Sequence, residues 1–127
     1  MKSLKIGNYI FEILSAYQPL VDLVGSNVYP LMEQHGIKFP FVVYFRERIG
    51  ISPNKDMIPE DDVFVLFACV SDKYSESTEI ASVLVEAFDN KIFPDYEMKR
   101  VLLQDVAEDY IEGAYVQQLT FKFIIKR

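Results

Sequence analysis

The chain has 127 residues, 13 Lys and Arg against 19 Asp and Glu, and a formal net charge of −6; half of it is apolar and a quarter charged. That balance excludes disorder, and the length predicts one domain over 1–127 that can bury a core without metal or disulfide support. The basic residues are scattered, which excludes the clustered Lys/Arg face that DNA gripping needs to displace counterions from phosphates.

Ile6, Ile10, Ile13, Leu14 and Tyr17 recur at helical spacing and predict an amphipathic helix over 4–17 with Ser3 as its N-cap. Pro19 would cost about 3 kcal/mol inside a helix, but it suits a helix start, so a second short helix runs from Pro19 to Val24. Gly25 ends it in the left-handed conformation that only Gly adopts cheaply. Val28-Tyr29 then extends until Pro30 interrupts. After a polar loop, Pro40 opens a strand over Phe41–Arg48, since a strand tolerates Pro at its first residue. Gly50 to Glu60 is rich in turn formers and predicts a long hairpin tip. Val63 to Val70 is apolar on both faces, as a central strand should be. It is also the longest apolar run, far short of the twenty or so residues of a membrane helix.

Asp72 to Asn90 carries the next helical stripe: Ile80, Ala81, Leu84, Val85, Ala87 and Phe88. Asp72 or Ser75 is its expected N-cap and Asn90 its stop. Phe93-Pro94-Asp95 reads as a turn. Two strands follow, Lys99–Tyr110 and Ala114–Lys126, joined at Glu112-Gly113. In the last, Tyr115, Leu119, Phe121, Phe123 and Ile125 alternate with Gln118, Thr120, Lys122 and Lys126, one covered face and one wet face. The order α-β-β-β-α-β-β predicts an α+β fold: a mostly antiparallel sheet of four to five strands with two main helices packed on one face.

Groups able to do chemistry are few. Cys69, the only cysteine, lies between apolar neighbours and reads as a core residue rather than a reactive thiol. One His, His35, with one Cys cannot supply a Cys/His zinc site or a nucleophilic triad. Glu60-Asp61-Asp62 and Asp105, Glu108, Asp109 and Glu112 could in principle converge on Mg²⁺ as in nucleases. Yet Asp105 and Asp109 are about 13 Å apart on a strand, Glu108 faces the other side, and charges of this kind also protect sheet edges. The five glycines are isolated, so no phosphate loop is present. Lys55, Met57 and Ile58 stand out instead, because apolar residues at a wet loop tip suggest an oligomer contact. No cofactor and no metal are expected. The N-terminal segment lacks an apolar signal core, which points to a protein kept in a cytoplasm.

Two segments carry a resemblance: Gly25-Ser26-Asn27-Val28-Tyr29-Pro30 and Phe39-Pro40-Phe41-Val42-Val43-Tyr44. With the helix ending Leu23-Val24-Gly25, the strand ending Val70-Ser71-Asp72 and the closing hairpin with Asp105 near its start, the chain resembles the tail-completion, or tail-terminator, family of long-tailed phages and prophages. The resemblance implies a non-enzymatic α+β subunit that assembles with itself as a ring, often a hexamer. The ring terminates the tail tube and joins it to the head connector, first in the bacterial host cytoplasm and then in the virion tail. DNA would pass as cargo without specific binding, helped by an acidic lumen. A metal-dependent hydrolase using the acidic hairpin, or a small dimeric ligand-binding module, are the alternatives from other classes.

Overall fold

Ile6, Ile10 and Leu14 are buried and their spacing turns one face of Ile6–Ser15 (α1) onto the sheet. The computed structural model describes residues 1–30, 38–53 and 59–127, with backbone alone at 52 and 53. The expected helix over 4–17 is two pieces, a 3₁₀ turn at Lys2–Lys5 followed by α1. Ser3 is not an N-cap. It is buried, and its hydroxyl donates to Asp61 Oδ2 at 2.6 Å, because a carboxylate 1% exposed needs a donor more than a helix end does. Tyr17 is extended, so Pro19 falls in the first turn of Gln18–Val24 (α2), where no intrahelical N–H is required. Gly25 closes α2 at φ +60° but ψ −128°. That is positive-φ backbone open to Gly, rather than the left-handed helical cap expected.

Among the described residues five strands form one mixed sheet in the order β1-β2-β3-β5-β4. They are Val28–Pro30 (β1), Phe41–Pro53 (β2), Pro59–Ser71 (β3), Met98–Ile111 (β4) and Ala114–Lys126 (β5). β1 runs parallel to β2, from Val28 opposite Val42 to Pro30 opposite Tyr44, and the other neighbours are antiparallel. This is the α+β architecture expected, with β3 in the middle. β2 begins at Phe41 rather than Pro40 and runs five residues past Arg48, to Pro53. The expected tip at 50–60 is therefore wrong at both ends: Gly50, Ile51, Ser52 and Pro53 pair with Asp62, Asp61, Glu60 and Pro59. Gly, Ser and Pro read as turn formers there, but the hairpin ladder holds them extended up to its last rung. A bulge between Arg46 and Arg48 resets the alternation, which returns Ile49 to the core side.

Tyr74–Phe88 (α3) starts two residues later than expected and is capped by neither Asp72 nor Ser75. Lys73 holds the N-cap position without a side-chain cap bond, and Ser71 braces the turn before it: its oxygen accepts from the Lys73 N–H at 3.0 Å and its hydroxyl donates to Glu76 at 2.7 Å. Ser77, Ile80, Ala81, Leu84, Ala87 and Phe88 are the buried face of α3. Asn90, at φ 60°, marks the stop. Glu112 and Gly113 both take positive φ, 49° and 86°, the conformation of a two-residue hairpin turn whose twist matches the flanking strands.

All helices pack on one face of the sheet. Val63, Val65, Phe67 and Cys69 of β3 are fully buried there, beside Leu119, Phe121, Phe123 and Ile125 of β5. Phe67 lies 5.4 Å from Phe88, 5.6 Å from Phe121 and 5.8 Å from Tyr44, ring centroid to ring centroid. The opposite face of β3 is only half-buried, and a smaller cluster of Phe41, Val43, Val70, Ala114 and Val116 covers one end of it. Replacing Phe67 with Ala removes the ring on which α3, β2 and β5 converge. It is expected to cost about 3–5 kcal/mol, read as a lower midpoint in urea unfolding.

Candidate functional site

Helix α3 lies over β3 and β5 but stops short of the outer half of β4. Every residue from Gln104 to Gly113 is exposed. Pairing sets Val106, Glu108 and Tyr110 opposite Leu119, Gln117 and Tyr115, so the three share the helix side of the sheet, while Asp105, Asp109 and Ile111 take the other. Val106, Tyr110 and Ile111 are 56%, 60% and 50% exposed. β4 is an edge strand of the described sheet, with Val106 and Tyr110 in water on the helix side and Ile111 on the other, and the Tyr110 N–H donates to Asp109 Oδ1 at 2.7 Å.

Its geometry is fixed from beneath. Gln117 is buried, and its amide donates to Glu108 Oε1 at 3.0 Å and to Ser77 Oγ at 3.4 Å. The Tyr74 hydroxyl also bonds Glu108, and Tyr115 packs edge-on to Tyr74 at 5.5 Å and against Tyr110 at 4.8 Å. Hydrogen bonds from Gln117 and then Tyr74 hold the Glu108 carboxyl below the usual glutamate range. The Tyr74 hydroxyl is raised, first by that hydrogen bond and then by the carboxylate's charge. Glu108 thus ties the exposed strand to the N-terminal end of α3, an arrangement suited to holding a surface rigid.

The acidic residues do not gather. Among the described residues no group of three His, Cys, Asp or Glu side chains could hold a metal ion. Asp105 and Asp109 lie across the sheet from Glu108. Glu60 pairs with Lys99, and Asp61 pairs with Arg127 Nε at 3.4 Å. Asp61 lines an open cleft of about 510 Å³ formed by both ends of the described chain, with Lys2, Ser3, Pro59 and Lys126. Its Oδ1 has no hydrogen-bond donor, and the Arg127 charge stands in for one. Cys69 is fully buried, and burial pushes its thiol far up, as a core residue requires. Tyr44 is pushed up to about 12 by burial, with its hydroxyl on the Gly7 carbonyl at 2.9 Å.

Lys55, Met57 and Ile58, together with His35, lie outside the described residues. The apolar edge residues Val106, Tyr110 and Ile111 went unnoticed in the sequence. Their signal was there: Asp105, Glu108, Asp109 and Glu112 crowd one strand, which marks a segment that water reaches on both faces. Among the described residues no helix is long and apolar enough to cross a membrane.

No family model and no curated protein matches the chain. The fold does match solved structures. One is a chain of the virion of a native gene transfer agent particle, with a TM-score of 0.78 and 13% identity. The likeness covers 93% of this chain and 92% of that one. At this identity the two share an architecture over nearly their whole lengths.

A carboxylate held below its usual range stabilises the folded hairpin above the ordinary glutamate midpoint, and that contribution disappears as pH falls through the lowered value. The Gln117 side-chain amide shift, followed by NMR, should therefore titrate below the ordinary glutamate range. The Glu108→Gln variant should lose that transition. Cys69 should not react with a thiol reagent until the protein is unfolded, which an absorbance assay with and without urea reads directly.

Proposed function

We propose that this chain is a non-enzymatic structural subunit of a phage-like particle, a single tail-terminator-like domain that assembles with itself as a ring. The ring closes the head-proximal end of a tail tube and joins it to the head connector, with DNA passing through as cargo. The observation that carries this reading is the fold likeness to a virion chain over more than nine-tenths of both partners. The two segments that resemble the tail-completion family support it, since they form the parallel β1–β2 pair at one edge of the sheet. The net charge of −6, repeated around a ring, would keep DNA sliding rather than bound to the wall. Such a protein would be made in a bacterial cytoplasm and end in the virion. A hydrolase reading has less support, because the hairpin carboxylates point to opposite faces.

Negative-stain imaging of the concentrated protein, with and without tail-tube subunits, tests this. Rings with an open channel, or single rings seated on tube ends, are expected. Free subunits beside bare tube ends would overturn the reading. Lys55, Met57 and Ile58 are proposed as part of the ring contact. Since 50–53 and 59–60 belong to the β2–β3 ladder, the informative change is confined to 54–58. Replacing those residues by a tight turn should leave thermal unfolding nearly unchanged and weaken assembly, measured by light scattering.

A further inference from the structure

The sheet offers two unfilled edges that complement each other. On one side lies the outer half of β4, carrying Asp105, Glu108 and Asp109 with exposed Val106 and Tyr110. On the other side β1 pairs with β2 only up to Tyr44, and no described strand covers β2 from Phe45 to Pro53. That stretch presents Arg46 and Arg48, both exposed, with Ile51 63% exposed on β2 and Leu4 57% exposed beside it. Arg46 is anchored there by donating to the Leu4 carbonyl at 3.2 Å, and Arg48 lies over the Phe64 ring at 3.9 Å. One flank carries three carboxylates among apolar side chains, and the other carries Arg46 and Arg48 on either side of exposed Glu47, again with apolar side chains.

We infer that the β4 edge of one copy adds to the free edge of β2 in a second copy, head to tail, continuing the sheet from subunit to subunit. This rests on the ring reading above and names the surface that would build the ring. Strand directions permit it: each step from β2 to β3, β5 and β4 is antiparallel, so β4 runs opposite to β2 and a repeated copy meets it as an antiparallel neighbour. The contact is heterologous, with different patches on the two sides, which is the geometry that generates rings. Main-chain bonds supply affinity and side chains supply register.

Register decides between the possible placements. Followed across the ladder, Glu108 is level with Gln117, Cys69 and Val42, and Leu103 with Phe121, Val65 and Arg46. Copies set level would therefore place Glu108 beside Val42, where β1 already pairs with β2. Closing a sheet requires tilted strands and a fixed stagger. A stagger of about four residues sets Glu108 beside Arg46 and carries Asp105 and Asp109 along β2 beyond the end of β1. At that shift Val106 to Asp109 follow β1 along β2, and Tyr110 and Ile111 come level with Pro30 and Tyr29 at its end. Edge carboxylates alone would merely discourage association; here they face the two arginines Arg46 and Arg48, and exposed apolar side chains accompany both edges.

The test is a charge exchange followed by sedimentation velocity. In one variant Asp105→Lys and Asp109→Lys reverse the β4 edge; in another Arg46→Glu and Arg48→Glu reverse the β2 edge. All four residues are exposed, and circular dichroism verifies that each variant is folded. The wild type should form rings, each variant alone should sediment at least tenfold more as free subunits, and a mixture of the two variants should reassemble. Wild-type rings together with undiminished rings of either variant overturn this interface while leaving the ring reading intact. Failure of the mixture to reassemble also overturns it. A wild type that stays a free subunit alone and with tail-tube subunits overturns the ring reading and the interface with it.

Discussion

The structure depends on a seam of aromatic rings between the sheet and α3. Phe67 on the central strand meets Phe88 from α3 and Phe121 from β5, and Phe88 in turn meets Phe121 and Phe123. Rings offset or edge-on at these separations attract beyond the area they bury. The seam holds the helices to one face, so the other face and the lateral edges must be managed by other means. A small apolar cluster covers one end of the open face, half-buried Phe64, Leu66 and Ile124 mix with Arg48 and Lys122 over the rest, and β4 is left to project beyond the helix that would have covered it.

That division leaves one part of the molecule packed and another open to water. The rigid part is the β3–β5 pair and its helix layer. The open part is the hairpin's outer half, held at its base by Gln117, Glu108 and Tyr74. The one thiol is sealed in the core, and the buried carboxylate Asp61 is engaged by Ser3 and Arg127.

Periodicity made most of the architecture legible. The spacing of Ile6, Ile10 and Leu14, the alternation from Leu119 to Ile125 and the two-sided apolar run from Val63 to Val70 each reflect burial, and burial is what fixed them. Ends were less legible because local chemistry competes there. Ser3 carries a good cap side chain, but a buried carboxylate claimed it. Gly50 and Ser52 favour turns when alone, but pairing with Asp62 and Glu60 kept them in the strand. The exposed edge was hidden for a different reason: whether Val106 and Tyr110 are covered depends on how far α3 reaches across the sheet, a tertiary fact that no window of residues contains.

Asp61 gathers the two ends of the described chain at one place. Ser3 bonds its carboxylate, Arg127 pairs with it, and the Arg127 N–H donates to the Pro59 carbonyl. Both ends accordingly emerge from the pole of the sheet where β2 hands over to β3, and the Glu112–Gly113 turn occupies the opposite pole. A fluorescent or affinity label fused to either end would crowd the same pole and leave the hairpin tip unencumbered, so the choice of terminus matters less to such a reporter than which pole of the subunit its neighbours require.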